Sequence, residues 1–469
     1  MLRAICFGLL LAGNVGHSTD HHYRLSLNQS LDYISVEAHL GDAVSSLTAR
    51  NGDTDLLDSL TDCNGERLNA RRGRIRIDAE QRCVRYNYPL RQSSRRVSQG
   101  SSQRLLFADG VVVTSPSEWL WIPTLEGEDQ VLIEVDGPEN LRFSVPWRVL
   151  DNGVFALGPS PQSSRSNVIF GHFRERMLRL PGTELRVALL DVSENRLSEN
   201  KILSWLDAAA RDVAGVSGKF PNPNPQIIVM ATGPGRRGGG GSAVPFGHVI
   251  RDGGEAVRFF VNGDKPLDDY LGDWTATHEF AHLLLPYIES KQKWISEGFA
   301  SYYQNVLLAR RGVYSEEEAW RRLHRSFSRA REIKNPPSPN NTAGRSFWEV
   351  RMLVYWSGAA VALLADAELR EVSGGKESLD TVLGRLQSCC LPSRRQWRGR
   401  DFFAKLDELS TYKVFNRLYE EHADSRGMPD LTELFHKLGI KPAGEKVQLF
   451  ENAPLAHIRR NIMKKTRSN

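Results

Sequence analysis

Cysteine is scarce: the 469 residues hold five. Cys6 lies in an apolar leader. Cys63, Cys83, Cys389 and Cys390 are too scattered along the chain to build a thiolate metal site. Cys63 and Cys83 flank a short basic and polar loop and can pair in an oxidising compartment. Cys389 and Cys390 are adjacent, which leaves open a vicinal disulfide, two free thiols, or partners for another copy in a dimer. Beyond the leader no apolar run reaches the ~18 residues that a bilayer span needs, so no stable span is expected after leader removal. No cysteine directly follows the leader's apolar stretch, which argues against a lipid anchor there. Charge of one sign is not in large excess: the net is +5, with 25% charged residues. Basic runs at 91–96 and 394–400 read as solvated surface. No interleaving of aromatic and basic residues builds a nucleic-acid channel, and no nucleic-acid partner is expected. The glycine run at 233–242 lacks the G-K-[ST] ending of a phosphate loop. There is no internal repeat.

What is present begins with a secretory pattern. Arg3 precedes an apolar stretch from Ala4 to Ala12, and Gly16-His17-Ser18 offers a cleavage site. A mature chain from about Thr19, periplasmic or secreted, is expected; an uncleaved anchor is the alternative. The 40% hydrophobic content is that of a soluble globular protein.

The chemistry-bearing stretch is His278-Glu279-Phe280-Ala281-His282, an H-E-x-x-H motif. Histidines four apart on a helix point the same way and can reach one metal ion. A catalytic zinc takes three protein ligands and leaves one position open. The third is expected to be Glu297, in the apolar run from Trp294 to Tyr303. Glu279 is then the base for the attacking water. A helix turn with two satisfied histidines is the plain alternative. Against it, the run from Thr275 to Leu285 reads as a buried helix, where such groups are costly unless paired or metal-bound. A first helix ending near Pro286, a turn through 289–293 and a returning helix bring Glu297 beside the histidines.

The remaining chain divides by pattern. Residues from about 22 to 175 alternate in short β-like runs, with turn signals at 51–52, 109–110, 136–137 and 151–152, and predict a sandwich-like domain. Lys201 to Val213 is an amphipathic helix, and 226–230 a buried strand. The glycine run is read as a mobile turn. The segments 243–249 and 256–261 predict a strand pair, one edge of which can take an extended peptide. His248 is read as an ordinary surface histidine, with a place in the cleft beside that edge as the alternative. Ser315 and Glu318 form a capping-box pattern. A long helix is expected over 347–371, interrupted only at Gly358, and a final short helix over 431–438, ended by Gly439. The tail at 464–467 is expected to fray.

Four stretches resemble the glycyl-aminopeptidase family, a branch of the gluzincin zinc metallopeptidases related to the alanyl-aminopeptidases. They are 277–282, 294–303, Tyr355 to Asp366, and 374–380; the segment 451–459 is also similar. Behind the signal peptide (1–18), the resemblance implies a multidomain protein: a β-rich N-terminal domain (19–180), a thermolysin-like α+β catalytic domain (181–330) and a helical C-terminal domain (331–455), with a tail (456–469) after it. It implies one zinc per chain on His278, His282 and Glu297, with Glu279 as base and Tyr355 stabilising the oxyanion. The substrate would be a peptide or small protein.

The sequence also departs from the family. The gap from the histidine motif to Glu297 is shorter than in the alanyl-aminopeptidases. Gln304 stands where relatives often carry a second glutamate. No G-A-M-E-N stretch, whose glutamate grips a free amine, is present; 242–247 lies in its place. A PDZ-like module, frequent in the family, is not expected after residue 430. The resemblance therefore implies zinc-dependent peptide hydrolysis, aminopeptidase-like, and leaves terminal or internal cleavage open. The alternatives are a catalytically silent peptide-binding protein on this fold and a zinc hydrolase of non-peptide bonds. Oligomeric state is not readable.

Overall fold

A computed structural model describes residues 19–464 except 43, 79, 91–109, 160–165, 192–196, 233–240, 252–253 and 394. The leader, the basic run at 91–96, most of the glycine run and residues 465–469 of the tail lie outside the described residues.

The N-terminal region is built of strands. Seven form one sheet, with Asp20–Leu27 at its centre, antiparallel to Tyr33–His39 and parallel to Gln130–Asp136. Strict alternation explains its placement: Tyr23, Leu25 and Leu27 are buried while their neighbours are mostly exposed. That apolar face shares a core with two three-stranded sheets, through Leu47 and Ile75 of one and Val112, Val168 and Phe170 of the other. Cys63 and Cys83 are paired, joining the strand Cys83–Pro89 to a neighbouring loop.

A second sheet follows, whose strands are numbered along the chain: β1 (Arg174–Leu180), β2 (Thr183–Leu190), β3 (Gln226–Ala231), β4 (Phe246–Arg251) and β5 (Glu255–Val261). The spatial order is β1-β2-β3-β5-β4, with β2, β3 and β5 parallel and β4 antiparallel at the edge. Both faces are covered. Ala188, Leu190, Ile228 and Met230 pack towards Val113 and Ile169 of the N-terminal region. Val187, Leu189, Ile227, Val229 and Phe259 face the helices.

Helix α1 (Glu199–Ala214) crosses from β2 to β3, burying Ile202, Trp205, Leu206, Ala209, Ala210 and Val213. This is the i, i+3, i+4 stripe of an amphipathic helix. The site helices come next: α2 (Thr275–Ala281), which tightens into a 3-10 turn at His282–Leu284, and α3 (Lys293–Arg310). Then come α4 (Glu316–Arg331), α5 (Phe347–Val372) and α6 (Leu379–Cys390). Cys389 and Cys390 are bonded to each other, the first of the three alternatives.

Two expectations are corrected here. Gly358 does not interrupt the long helix, which is continuous over Phe347–Val372. It marks instead where α5 crosses α3. A Cβ on Gly358 would lie 1.9 Å from the Trp294 carbonyl oxygen, and one on Gly298 only 2.3 Å from the Gly358 Cα. Only hydrogens fit at that crossing. Nor is the helix after residue 430 the last element. Thr432–Leu438 ends at left-handed Gly439, as expected, but a hairpin (Ile440–Ala443, Lys446–Leu449) and helix α7 (Ala456–Met463) follow. The capping pattern at Ser315 is half realised: its hydroxyl accepts from the Glu318 N–H, while the Glu318 carboxylate pairs with Arg321 and Arg322.

One hydrophobic core runs from Leu180 to Met463. Helix α5 is long and apolar enough to cross a membrane by length and composition, yet most of it is buried inside the protein.

Candidate metal centre

Phe280 sets the orientation of α2. Its ring packs edge-on against Phe220 and Phe259, at 5.3 and 5.8 Å between centroids, pinning the helix to the sheet. Residues two positions away on a helix point to the opposite side. His278 and His282 therefore both turn away from the sheet, towards α3. Glu297, one turn into α3, meets them. Its Oε2 lies 3.3 Å from His278 Nε2 and 3.5 Å from His282 Nε2. The three donor atoms all lie within 4.8 Å of one another.

The other ring nitrogens are held from behind. His278 Nδ1 is 2.8 Å from Gln304 Oε1, and His282 Nδ1 is 2.9 Å from Ser296 Oγ. With Nδ1–H donated to these oxygens, each Nε2 keeps its lone pair for the shared centre. A tetrahedral zinc with ligand bonds of about 2.0–2.1 Å separates its donors by roughly 3.3–3.4 Å. The two histidine–glutamate distances match that spacing, and the donor set suits zinc.

The electrostatics follow from crowding charge into a buried place. Burial opposes ionisation of Glu297, but His282 and His278 outweigh it and hold its pKa far below the usual carboxylate range. Burial opposes protonation of His278 too; the hydrogen bond to Glu297 and the charges of Glu279 and Glu297 reverse the sign and raise its pKa. For Glu279 burial dominates and raises the pKa.

Glu279 does not join the ligand cluster. Its Oε2 accepts the Val249 N–H of the edge strand β4 at 3.0 Å. The strand lies close because residue 247 is glycine: a Cβ there would come within 2.6 Å of Glu279 Cγ and 2.7 Å of Thr275 Cγ2. Since Gly247 faces α2, strand alternation turns His248 to the opposite sheet face, where Phe246 stacks near it. His248 is not part of this centre, in keeping with its reading from sequence. Among the described residues no strand pairs with the outer edge of β4.

Tyr355 comes from α5. Its ring lies nearly parallel to that of His278, at 5.9 Å and 16°. Its pKa is strongly raised, first by burial, then by the charges of Glu297 and Glu279 and by a hydrogen bond to Glu297. The structure thus brings together His278, His282, Glu297, Glu279 and Tyr355.

Residues 287–349 match a family model described as M61 glycyl aminopeptidase. The chain resembles the glycyl aminopeptidases. The matched segment contains Glu297, Ser296 and Gln304 and starts just after the histidine pair. No curated protein matches the chain by sequence. In fold, it is similar to an aminopeptidase N family protein from Idiomarina loihiensis, with a TM-score of 0.62 and 13% identity over 90% of this chain and 78% of that one. It is similar also to an M1 zinc metallopeptidase from Deinococcus radiodurans, solved bound to a Tyr-Ser-Ala substrate (TM-score 0.54, 12% identity, 88% and 95% covered). These likenesses support a multidomain architecture, β-rich at its N-terminus and helical towards its C-terminus.

Sequence reading missed three contributors. Ser296 sits beside Glu297 and carried a signal only through that adjacency. Gly247 and Val249 lie in the strand read as the edge for a peptide, but their contact with Glu279 carried no signal, because it is made with a helix some thirty residues away.

Proposed function

We propose that the protein is a zinc-dependent peptidase, aminopeptidase-like in fold, with His278, His282 and Glu297 holding one zinc in a thermolysin-like arrangement. The convergence of the two Nε2 atoms and Glu297 Oε2, each imidazole tied from behind, carries this reading. Zinc at such a centre supplies a Lewis acid that polarises a carbonyl and lowers the pKa of water.

The remaining steps belong to the chain's own side chains. Glu279 takes the proton from the attacking water and delivers it to the departing amine. Its raised pKa moves it towards the proton affinity such a shuttle needs. The Tyr355 hydroxyl donates to the negative oxygen that develops as the carbonyl becomes tetrahedral. Its raised pKa keeps that proton in place. A peptide main chain lies along β4, whose outer edge takes an extended strand. The peptide-bound Deinococcus neighbour supports a peptide substrate. Two disulfides within the fold support an oxidising, periplasmic or secreted setting.

Zinc content and hydrolysis of a mixed peptide library, compared between wild type and Glu279→Gln, test the proposal. About one zinc per chain in both proteins, with hydrolysis by wild type alone, is the expected result. Zinc without hydrolysis in wild type would leave the silent binding protein or the non-peptide hydrolase. The new ends in the products separate amino-terminal trimming from internal cleavage.

A further inference from the structure

Of the ten tryptophans, eight are buried, and Trp274 and Trp348 are exposed at 43% and 75%. Phe347, beside Trp348, is 41% exposed. These three are not scattered. Trp274 precedes α2 by one residue, and its ring stands perpendicular to that of His278, 5.5 Å between centroids. His278 stacks on Tyr355 at 5.9 Å, Tyr355 meets Phe347 at 6.4 Å, and Phe347 meets Trp348 at 5.9 Å. Five rings thus run in one row across the candidate metal centre, and both ends of the row are open to solvent. Leaving this much aromatic surface in water is unfavourable unless something covers it.

We propose that this row receives an aromatic side chain of the substrate, on a residue flanking the cleaved bond. The inference rests on the metallopeptidase reading and adds the substrate class. The row's middle members, His278 and Tyr355, are the groups assigned to ligand and oxyanion roles, so a side chain lying on it belongs to a residue next to the reacting carbonyl. Aromatic rings prefer edge-to-face or offset contact at about 4.5–7 Å, and rings spaced as these are offer both. A cationic side chain would also be drawn to ring faces. Here Arg351, exposed on the same stretch of α5, already sits over Trp348 at 5.2 Å. Its charge opposes a second cation, which selects phenylalanine or tyrosine over lysine or arginine.

The test uses the zinc-loaded full chain and a peptide series differing only in Ala, Phe or Lys at a position flanking the cleaved bond. A Phe over Ala preference of about tenfold in kcat/KM, with Lys no better than Ala, is expected. Trp348→Ala and Trp274→Ala should each lower the Phe-to-Ala ratio about threefold or more; both side chains are exposed, so the fold tolerates their loss. An unchanged ratio in both variants overturns the proposal. Calorimetric binding of the same peptides to zinc-loaded Glu279→Gln keeps the two readings apart. Tighter binding of the Phe peptide, with no hydrolysis by wild type, keeps the aromatic seat and sinks the peptidase. Hydrolysis and binding without any side-chain preference do the reverse. Neither binding nor hydrolysis overturns both.

Discussion

At the scale of single residues, the proposed function separates groups that hold the metal from groups that react. Glu279→Gln keeps the shape of the side chain and touches no ligand atom. It should reduce kcat by about 10²–10⁴-fold or more at unchanged zinc content, measured by metal analysis alongside steady-state kinetics. Tyr355→Phe removes one hydroxyl. A fall in kcat of about 10²-fold with zinc retained is expected, and loss of zinc in that variant would remove Tyr355 from the oxyanion role. Gln304 acts one step back, through His278 Nδ1. Gln304→Leu should weaken zinc about 10–100-fold, read by competition with a chromophoric chelator, and Gln304→Glu should strengthen it. These residues were legible in the sequence to different degrees. The histidine pair and Glu297 carry a spacing that few other chemistries need. Tyr355 has only the family resemblance to distinguish it from a core tyrosine, and Gly247 was placed in the edge strand without its close approach to Glu279, since that reason lies across space.

At the scale of elements, the crossing of α3 and α5 governs the site. Glu297 directly precedes Gly298 on one helix, and Tyr355 lies less than one turn before Gly358 on the other. The contact between the two glycines therefore sets how far apart Glu297 and Tyr355, the proposed ligand and oxyanion donor, stand. Gly358→Ala should cost about 1–3 kcal/mol or more, seen as a lower denaturant midpoint, and should weaken zinc binding as well, which a loss of stability elsewhere would not do. Here sequence reading went astray for a physical reason. Glycine inside a helical pattern is equally the mark of a break and of a close approach, and only the partner helix distinguishes them. The β-rich region, the amphipathic α1 and the return of α3 were readable because alternation and the 3.6-residue stripe report burial directly. The hairpin and helix after Gly439 were not, since 440–449 shows little apolar alternation of its own.

At the scale of the whole molecule, a buried ionic network backs the site helix. Tyr302 donates to Asp366 at 2.6 Å, Tyr303 to Asp380 at 2.9 Å, and Arg310 and Arg370 pair with the same two carboxylates. Burial works against the Asp366 charge, yet Arg370, the Tyr302 hydroxyl and the Leu379 N–H outweigh it, so its pKa is lowered on folding. A depressed carboxylate contributes stability that is fully present above its unfolded value, about 3.9, and is lost as pH falls through the folded value. Melting temperature should accordingly show no pH dependence from this group between pH 7 and 5, where its contribution is fully present, and a decline below about pH 4. Asp366→Asn should flatten that acid limb while lowering stability at pH 7. Chelation should behave differently. The imidazoles are held from behind by Gln304 and Ser296, so stripping the proposed zinc should abolish activity while far-ultraviolet circular dichroism stays native.

Helix α7 adds a matter of timing. Arg459 is fully buried and reaches Glu316, Glu451 and the carbonyl oxygens of Leu438, Gly439 and Phe450, while Arg310, at the end of the helix that carries Glu297, donates to the Ile462 carbonyl. During synthesis the histidines and Glu297 emerge long before this clasp exists. A nascent chain thus carries all three candidate metal donors while the helix that bears Glu297 still lacks the contact from Arg310 to the Ile462 carbonyl.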